Sequence, residues 1–511
     1  MASNNVARMA TALLTVLCFL NFCEVHEVLI TLGMGRVSMA NFPATVSSYF
    51  DALNHLLASG KVTLERRPEK ILKVTDAVMV TVIGALNMDE FTAAFDAACS
   101  LISASWPWLT TYNATDVERL HVVHRYRSHI VALRNVFFDF KIPGFVPSLG
   151  FCALLHEEAW LDSMQTTIAD MHLDCVRCDL RLAKFILRKR RQDDDTDPTC
   201  KDQYDKLRMN QARFEGITAS MIGKEGKAKE KLQLWLSLLT FRTLAPNSLP
   251  DDSRTLPFAY VEVGMSKLRC GTTDESGAFA DFQLAINEVD KQRGVGADAL
   301  KYMLPHVISA LFITHYHHPV AQATSILDKL LSERGQLPDL IFDDMTSLET
   351  GIVLFAKGAV TYFRPPNTIP SAEVIKEALK FFRRAVTVLE QTHGHEAIWT
   401  LAATYRMAVC LFDLGRYEES IVHFDTLNHV YRAYTKEFRE HDGSDILWQK
   451  ARVLWKSGRA LLALGDEAQE LEAQQMLDEA VQMHWDISGT VADHESMTDA
   501  SWDSKVFFLY R

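Results

Sequence analysis

The chain has 511 residues, of which 48% are hydrophobic and 23% charged, with only 23 glycines and 15 prolines. These proportions exclude wholesale disorder and speak against a loop-rich β protein in favour of long helices. A formal net charge of -12 and a pI near 5.8 exclude a general nucleic-acid binder, which would be basic.

At this length the chain suits two to four compact domains or one long repeat array. Residues 9–23 form an apolar run after Arg8. It reads as a buried helix whose pattern continues through Val25, Val28, Leu29 and Leu32. The alternative is an N-terminal signal or anchor, although the run is shorter than the roughly 18–20 residues that span a bilayer and no small-x-small cleavage site follows. A first loose hairpin pairs residues 11–32 with a second helix carrying Val46, Phe50 and Leu53, and another pairs residues 74–86 with Phe91, Ala94, Ala98 and Leu101. Residues 164–187 form one helical run, and the charged, proline-containing stretch 190–201 is a surface link.

From there a register recurs: a small residue inside one helix, glycine at a turn, then small-x3-aromatic or apolar-x2-small in the next helix. Gly216 and Gly223 precede Ala228, Leu232 and Trp235; Gly264 and Gly271 precede Ala278, Phe282 and Ala285. Between them, the proline-containing stretch 243–256 is a break between helical blocks. Residues 302–315 and 319–333 form a further hairpin, with Pro319 in a first turn and Ala323, Leu327 and Leu330 on the triplet positions. Gly358 precedes Ala378, Phe382 and Ala385 across a loop at 364–370. Residues 399–434 are the clearest member: Leu401, Thr404, Met407, Ala408 and Leu411 make one stripe, Gly415 sits at the turn, and Ser420, Phe424 and Leu427 pack back. Gly458 and Gly465 precede Ala473, Leu477 and Ala480. Residues 436–444 are an extended link. The tail after Gly489 is acidic and ends in an apolar stretch at 506–510 that is placed to dock on the last helices.

This hairpin pattern resembles a divergent tetratricopeptide (TPR) array over residues 258–483. The segment with His395, Thr400 and Gly415-Arg416-Tyr417-Glu418-Glu419 is similar to the kinesin-light-chain-like branch common in fungal TPR proteins. Ser420 departs from the alanine usual there, and the step from Gly415 to Gly465 exceeds the unit of about 34 residues. The resemblance implies an all-α fold, a right-handed α-solenoid of TPR-like helical hairpins. The divisions are 1–190 (divergent N-terminal hairpins), 202–242 and 256–334 (TPR-like hairpins), 345–488 (C-terminal repeats) and 489–511 (tail). It further implies that the first helix of each hairpin lines a concave groove. On the last two strong units the groove positions are Tyr405, Arg406, Val409, Arg452, Trp455, Lys456 and Arg459. Arginine beside aromatics is the composition of binding hot spots, and a positive patch in an acidic protein suits an acidic peptide.

Other constellations point less far. Cys175 and Cys178 form a CxxC pair in a helical run with no second pair, so two small boundary residues one turn apart is the plain reading. His315, His317 and His318 stand at a helix end with no accompanying ligand set, and His393 and His395 flank a loop glycine. Lys184 to Arg191 is the strongest basic run, followed at once by Asp193 to Asp197. A lone sequon lies at Asn113. No nucleotide-binding loop, nucleophile elbow or H-E-x-x-H string occurs, so neither cofactor nor metal is expected. Nine scattered cysteines fit a reducing, cytoplasmic setting better than a secreted disulfide framework, and a membrane role is not expected. The expected function is a scaffold or adaptor that binds a protein or peptide on the concave face. An enzyme with a site in a pocket between helical blocks is the alternative, as is a regulatory fragment of a larger multidomain protein.

Overall fold

The computed structural model describes residues 2–21, 23–66, 69–109, 117–164, 173–191, 198–222, 224–244, 250–270, 275–292, 304–314, 320–333, 348–363, 370–435, 445–465, 467–489, 497–498 and 501–502. Several expectations lie outside the described residues: the sequon at Asn113, the histidines His315, His317 and His318, Pro319, the turn glycines Gly223 and Gly271, the loop 364–369, the link 436–444 and the stretch 506–510. The chain divides into two compact units, one of residues 1–163 and 172–214, the other of residues 164–171 and 215–511. Among the described residues the fold is all-α apart from one small sheet.

In the first unit, α1 (Ala2–Phe19) is apolar from Ala12 onward except for Thr15, and every residue of that stretch is buried. Leu13, Val16, Leu17 and Phe19 have no exposure, and the helix is enclosed by α3 (Val46–Ala58), α4 (Asp76–Gly84) and α5 (Met88–Ser105). No described helix is long and apolar enough to cross a membrane. The expected continuation of this helix to Leu32 does not occur. The chain turns after Phe19, forms β1 (Val25–His26) and restarts as α2 (Glu27–Gly33). The Asn21 N–H donates to His129 Nδ1 at 3.0 Å and Val25 pairs with Leu72, so tertiary partners satisfy backbone that a helix would have bonded locally. Val28 and Leu32 consequently face solvent, the latter 64% exposed. Val46 and Phe50 are likewise exposed; α3 instead buries Tyr49, Ala52, Leu53 and Leu56. Residues 74–86 are not one helix either. Val74 ends β3 (Lys70–Val74), which pairs antiparallel with β1 on one side and with β2 (Val62–Arg66) on the other. The alternating Lys-Ile-Leu-Lys-Val string serves a strand with one covered face. α5 follows its expectation: Asn87 and Glu90 form a reciprocal capping box, and Phe91, Ala94, Ala98 and Leu101 are buried.

The first unit continues through α6 (Val117–Phe140), α7 (Leu149–Met164), α8 (Leu173–Arg190) and the first part of α9 (Pro198–Met221). Ion pairs tie these helices together inside the core. Arg127 donates to Glu158 at 2.8 Å and also meets Asp162; Arg134 donates to both oxygens of Asp179 at 2.8 and 2.9 Å. Glu157 accepts from Arg119 at 2.6 Å, from the Trp106 indole at 3.1 Å and from the Leu109 N–H at 3.0 Å. Burial pushes the Glu158 carboxyl up to about 7; Arg127 opposes this, and Asp162 and Asp179 add to it. Burial likewise pushes Asp179 up to about 6.

The second unit is a succession of hairpins. After the end of α9 come α10 (Glu225–Thr243), α11 (Pro250–Arg269), α12 (Glu275–Gln292), α13 (Leu304–Phe312), α14 (Val320–Glu333) and α15 (Leu348–Tyr362). They are followed by α16 (Ala372–His393), α17 (Ile398–Asp413), α18 (Tyr417–Thr435), α19 (Asp445–Leu464) and α20 (Glu470–Ser488). From α10 onward each helix packs on the next, and α11, α13, α15, α17 and α19 also pack on one another in turn. First helices thus form one layer, with second helices behind it. The recurrent register is the contact between them. A Cβ on Gly264 or Gly358 would lie 2.7 or 2.8 Å from the ring of Phe282 or Phe382, and one on Gly458 would lie 2.8 Å from the Ala473 carbonyl oxygen. Ala278, Phe282, Ala285, Ala378, Phe382 and Ala385 are fully buried in one continuous core. Burying each phenylalanine contributes roughly 1.5–3 kcal/mol. In the hairpin of α17 and α18 a serine takes the small position, and the Ser420 hydroxyl donates to the Ala408 carbonyl at 3.0 Å. Gly415 has φ 73, and the Arg416 N–H donates to Leu411 O at 2.9 Å, the closure that ends a helix in a left-handed residue. The break expected over residues 243–256 is shorter than that, because α11 already begins at Pro250 and holds Pro257 inside it.

Gly458→Val should lower the stability of the second unit by about 2 kcal/mol, because a backbone oxygen and Leu477 both occupy the space. Gly226→Ala, exposed in α10 with nothing nearby, should raise it by about 0.5 kcal/mol; paired denaturant melts check both. The raised Glu158 and Asp179 mean that the folded chain holds protons that the unfolded chain has released. Their contribution is full below the ordinary values of 3.8 and 4.5 and is lost as pH rises through about 6 to 7. The melting temperature of Glu158→Gln should accordingly fall less than that of the wild type between pH 5 and pH 8.

Candidate functional site

The seven sequence-derived groove positions lie on α17 and α19, and the fold brings most of them into one seam. Tyr405, Val409 and Phe412 recur at i, i+4 and i+7 along α17; Arg452, Lys456 and Arg459 recur with the same spacing along α19. The two stripes interlock as cation on ring. The Arg452 guanidinium carbon is 3.8 Å from the Tyr405 ring centroid, Lys456 Nζ is 4.5 Å from that of Phe412, and Arg459 is 5.9 Å from Phe412. Arg406 extends the seam toward α15, at 5.6 Å from Tyr405 and 5.9 Å from Tyr362. Tyr362 donates to the Asp413 carboxylate, and burial together with that carboxylate pushes its phenol up.

The seam is enclosed over most of its length. Tyr405, Arg406, Val409, Trp455 and Lys456 are buried and Arg452 is 1% exposed, whereas Arg459 is exposed. A desolvated cation over an aromatic face contributes about 2 kcal/mol, against the several kcal/mol that dehydrating a charge costs. Arginine, the more weakly hydrated cation, bears that cost better than lysine.

Trp455 faces elsewhere. Its ring centroid is 5.7 Å from that of Trp502, which in turn is 5.6 Å from His484 on α20, and Trp448 on α19 is 5.3 Å from His484. Trp502 therefore packs on α19 and α20. Sequence reasoning missed Tyr362, Phe412, His484 and Trp502. Phe412 was within reach, seven residues after Tyr405 on the same stripe. His484 and Trp502 carry no local signal, since only the return of the tail assembles them.

Elsewhere, Cys175 and Cys178 are half-buried on α8, and burial pushes both thiols up. Among the described residues no group of three His, Cys, Asp or Glu side chains is placed to hold a metal ion. Arg190, at the end of the basic run, is bound to the carbonyls of Val146 and Pro147 at 2.7 and 3.1 Å. A cleft of about 580 Å³ in the first unit is walled by small and polar side chains, including Asp96, Ser100, Ser148 and Gln203, and by Trp108.

No family model matches this chain, and no curated protein matches it. Among solved structures, the apo form of the quorum sensor NprR from B. thuringiensis is similar over 73% of this chain and 96% of that chain, at 10% identity and a TM-score of 0.38. NprR in complex with its cognate peptide NprX is similar over 75% of this chain and 92% of that chain, at 11% identity and a TM-score of 0.40. Superpositions at these values carry no residue-by-residue correspondence, so the seam stands on the geometry of this chain alone.

Proposed function

We propose that this chain is a helical-repeat scaffold that binds a protein or peptide on the first-helix layer of its second unit, with carboxylates as the chemistry it recognises. The observation that carries the proposal is the cation–ring seam. Successive first helices place Lys357, Arg406, Arg452 and Lys456 there, all buried and Lys357 in an ion pair with Asp328 of α14, with Arg459 exposed at the end. Arginine and tyrosine on a rigid helical surface are the residues that anchor partners. Arg459, exposed and 5.9 Å from the Phe412 ring, is the cation that an arriving carboxylate meets, and a cation held against a ring loses little freedom in doing so. First helices that touch across hairpins support a layer on the inside of a curve. The hairpins themselves we take as divergent TPR units of the kinesin-light-chain-like kind, on the strength of Gly415 to Glu419 and of Thr400, whose hydroxyl bonds the Gly394 carbonyl at 2.9 Å. A reducing, cytoplasmic setting goes with the nine free cysteines.

Binding should depend on partner charge. In fluorescence anisotropy, acidic peptides should bind the wild type at least about tenfold more tightly than their Asn/Gln counterparts, a difference of 1.4 kcal/mol. Arg459→Glu, an exposed site that leaves the buried seam intact, should weaken binding by a similar factor and steepen neither melt. Equal binding of acidic and amide peptides, or an unchanged affinity in Arg459→Glu, would refute the proposal.

A further inference from the structure

The last two helices and the tail build an aromatic socket whose present occupant fits it imperfectly. Trp502 is 1% exposed, with its ring tilted 39° against Trp455 and set edge-on, at 89°, to His484. Met497 enters the same apolar cluster. A single turn prepares this delivery: the Thr498 N–H donates to Ser501 Oγ at 2.8 Å, the Ser501 N–H donates to Thr498 Oγ1 at 3.2 Å, and the Trp502 N–H donates to Thr498 O at 3.2 Å. Thr498 lies on the solvent side of the turn, with Met497 and Trp502 on the inner side.

The Trp502 indole N–H is nonetheless buried and meets no acceptor among the described residues. An unmatched buried donor weakens the hold of the side chain that carries it by about tenfold or more. A segment with only an end-capping task gains nothing from a tryptophan there, since phenylalanine would fill the socket without a donor to satisfy. The segment also has the composition that the neighbouring seam calls for. In sequence, Trp502 stands between Asp499 and Asp503, while Trp455 stands between Arg452 and Lys456 on α19.

We propose that the socket of Trp455 and His484 is an anchoring point beside the binding face, and that Met497 and Trp502 fill it as a ligand in cis, which a partner peptide bearing an aromatic residue among carboxylates displaces. This rests on the proposed binding of acidic peptides by the first-helix layer and specifies the anchor such a partner carries. The socket supplies the apolar contact area and the adjacent cations supply charge complementarity, so an incoming segment must offer both to compete with one already tethered. Tethering compensates for the unmatched donor by raising the effective concentration of the tail.

The test uses the full chain and, as probe, a fluorescein-labelled synthetic peptide copying residues 496–506, added in trans. Trp502→Ala should bind this peptide at least about tenfold more tightly than the wild type. A peptide with its tryptophan replaced by alanine should lose binding to the same variant. Thr498→Ala/Ser501→Ala removes the turn but keeps the indole and should also raise affinity, which keeps the test decisive if Trp502→Ala unfolds. Equal affinities for the wild type and both variants would overturn the proposal, as would a lowered melting temperature with no gain in affinity, the behaviour of a structural cap. If the peptide binds the variants but its Asp→Asn form binds equally well, the socket stands and the charge reading of the seam falls. If acidic peptides bind in an Arg459-dependent way whatever the state of residue 502, the seam stands and the socket falls.

Discussion

Close approach of two helices over a small residue is the constraint on which the second unit depends. At Gly264, Gly358 and Gly458 the facing helix comes so near that even a methyl group would collide with a ring or with a backbone oxygen. That proximity sets Phe282, Phe382 and Leu477 directly over the gap and aligns the flanking alanines. Each hairpin leaves apolar surface for the next, so the contact propagates from one hairpin to its neighbour and stability accumulates along the series. The helix-propensity penalty of glycine, about 1 kcal/mol against alanine, is offset by the packing that its absent side chain permits.

Once that spacing is set, first helices become neighbours of first helices, and their remaining faces must be filled. Between α17 and α19 the filling is cationic and aromatic rather than aliphatic. The cost of dehydrating Arg452 and Lys456 is offset in part by ring faces, which limits what can be substituted there without loss of packing. α19 and α20 are covered in another way. Trp502 and Met497 pack into their apolar cluster, and the Trp502 indole donor meets no acceptor among the described residues. The first unit solves its packing by other means: a buried, mostly apolar second half of α1, a three-stranded sheet, and arginine–carboxylate pairs that join α6 to α7 and α8.

Most of the second unit was legible before any coordinates. The triplets Ala278-Phe282-Ala285 and Ala378-Phe382-Ala385 are buried as their spacing requires, and Gly415 takes the left-handed conformation expected of it. The first unit was less legible. Val25 and Val74 continue helical patterns on paper, yet both end in strands, because β-pairing depends on residues far apart in the chain whose match no local window contains. Of the candidate site, the spacing of Tyr405, Arg452, Lys456 and Arg459 was visible, whereas their burial was not. An arginine reads as a surface residue until a ring from another helix is found over it.

The sequence by itself determined the helical class, the small-over-large register of the hairpins and the recurrence of cations on first helices. All three are periodic along the chain, and a period of 3.6 residues is a local property. Tertiary structure alone decided that the N-terminal region forms a sheet, that the cations stack on Tyr405 and Phe412 inside the fold, and that Trp502 returns to Trp455. Each of those outcomes depends on closing long loops between segments with no shared local pattern, so the energies that choose among them arise only when the partners meet.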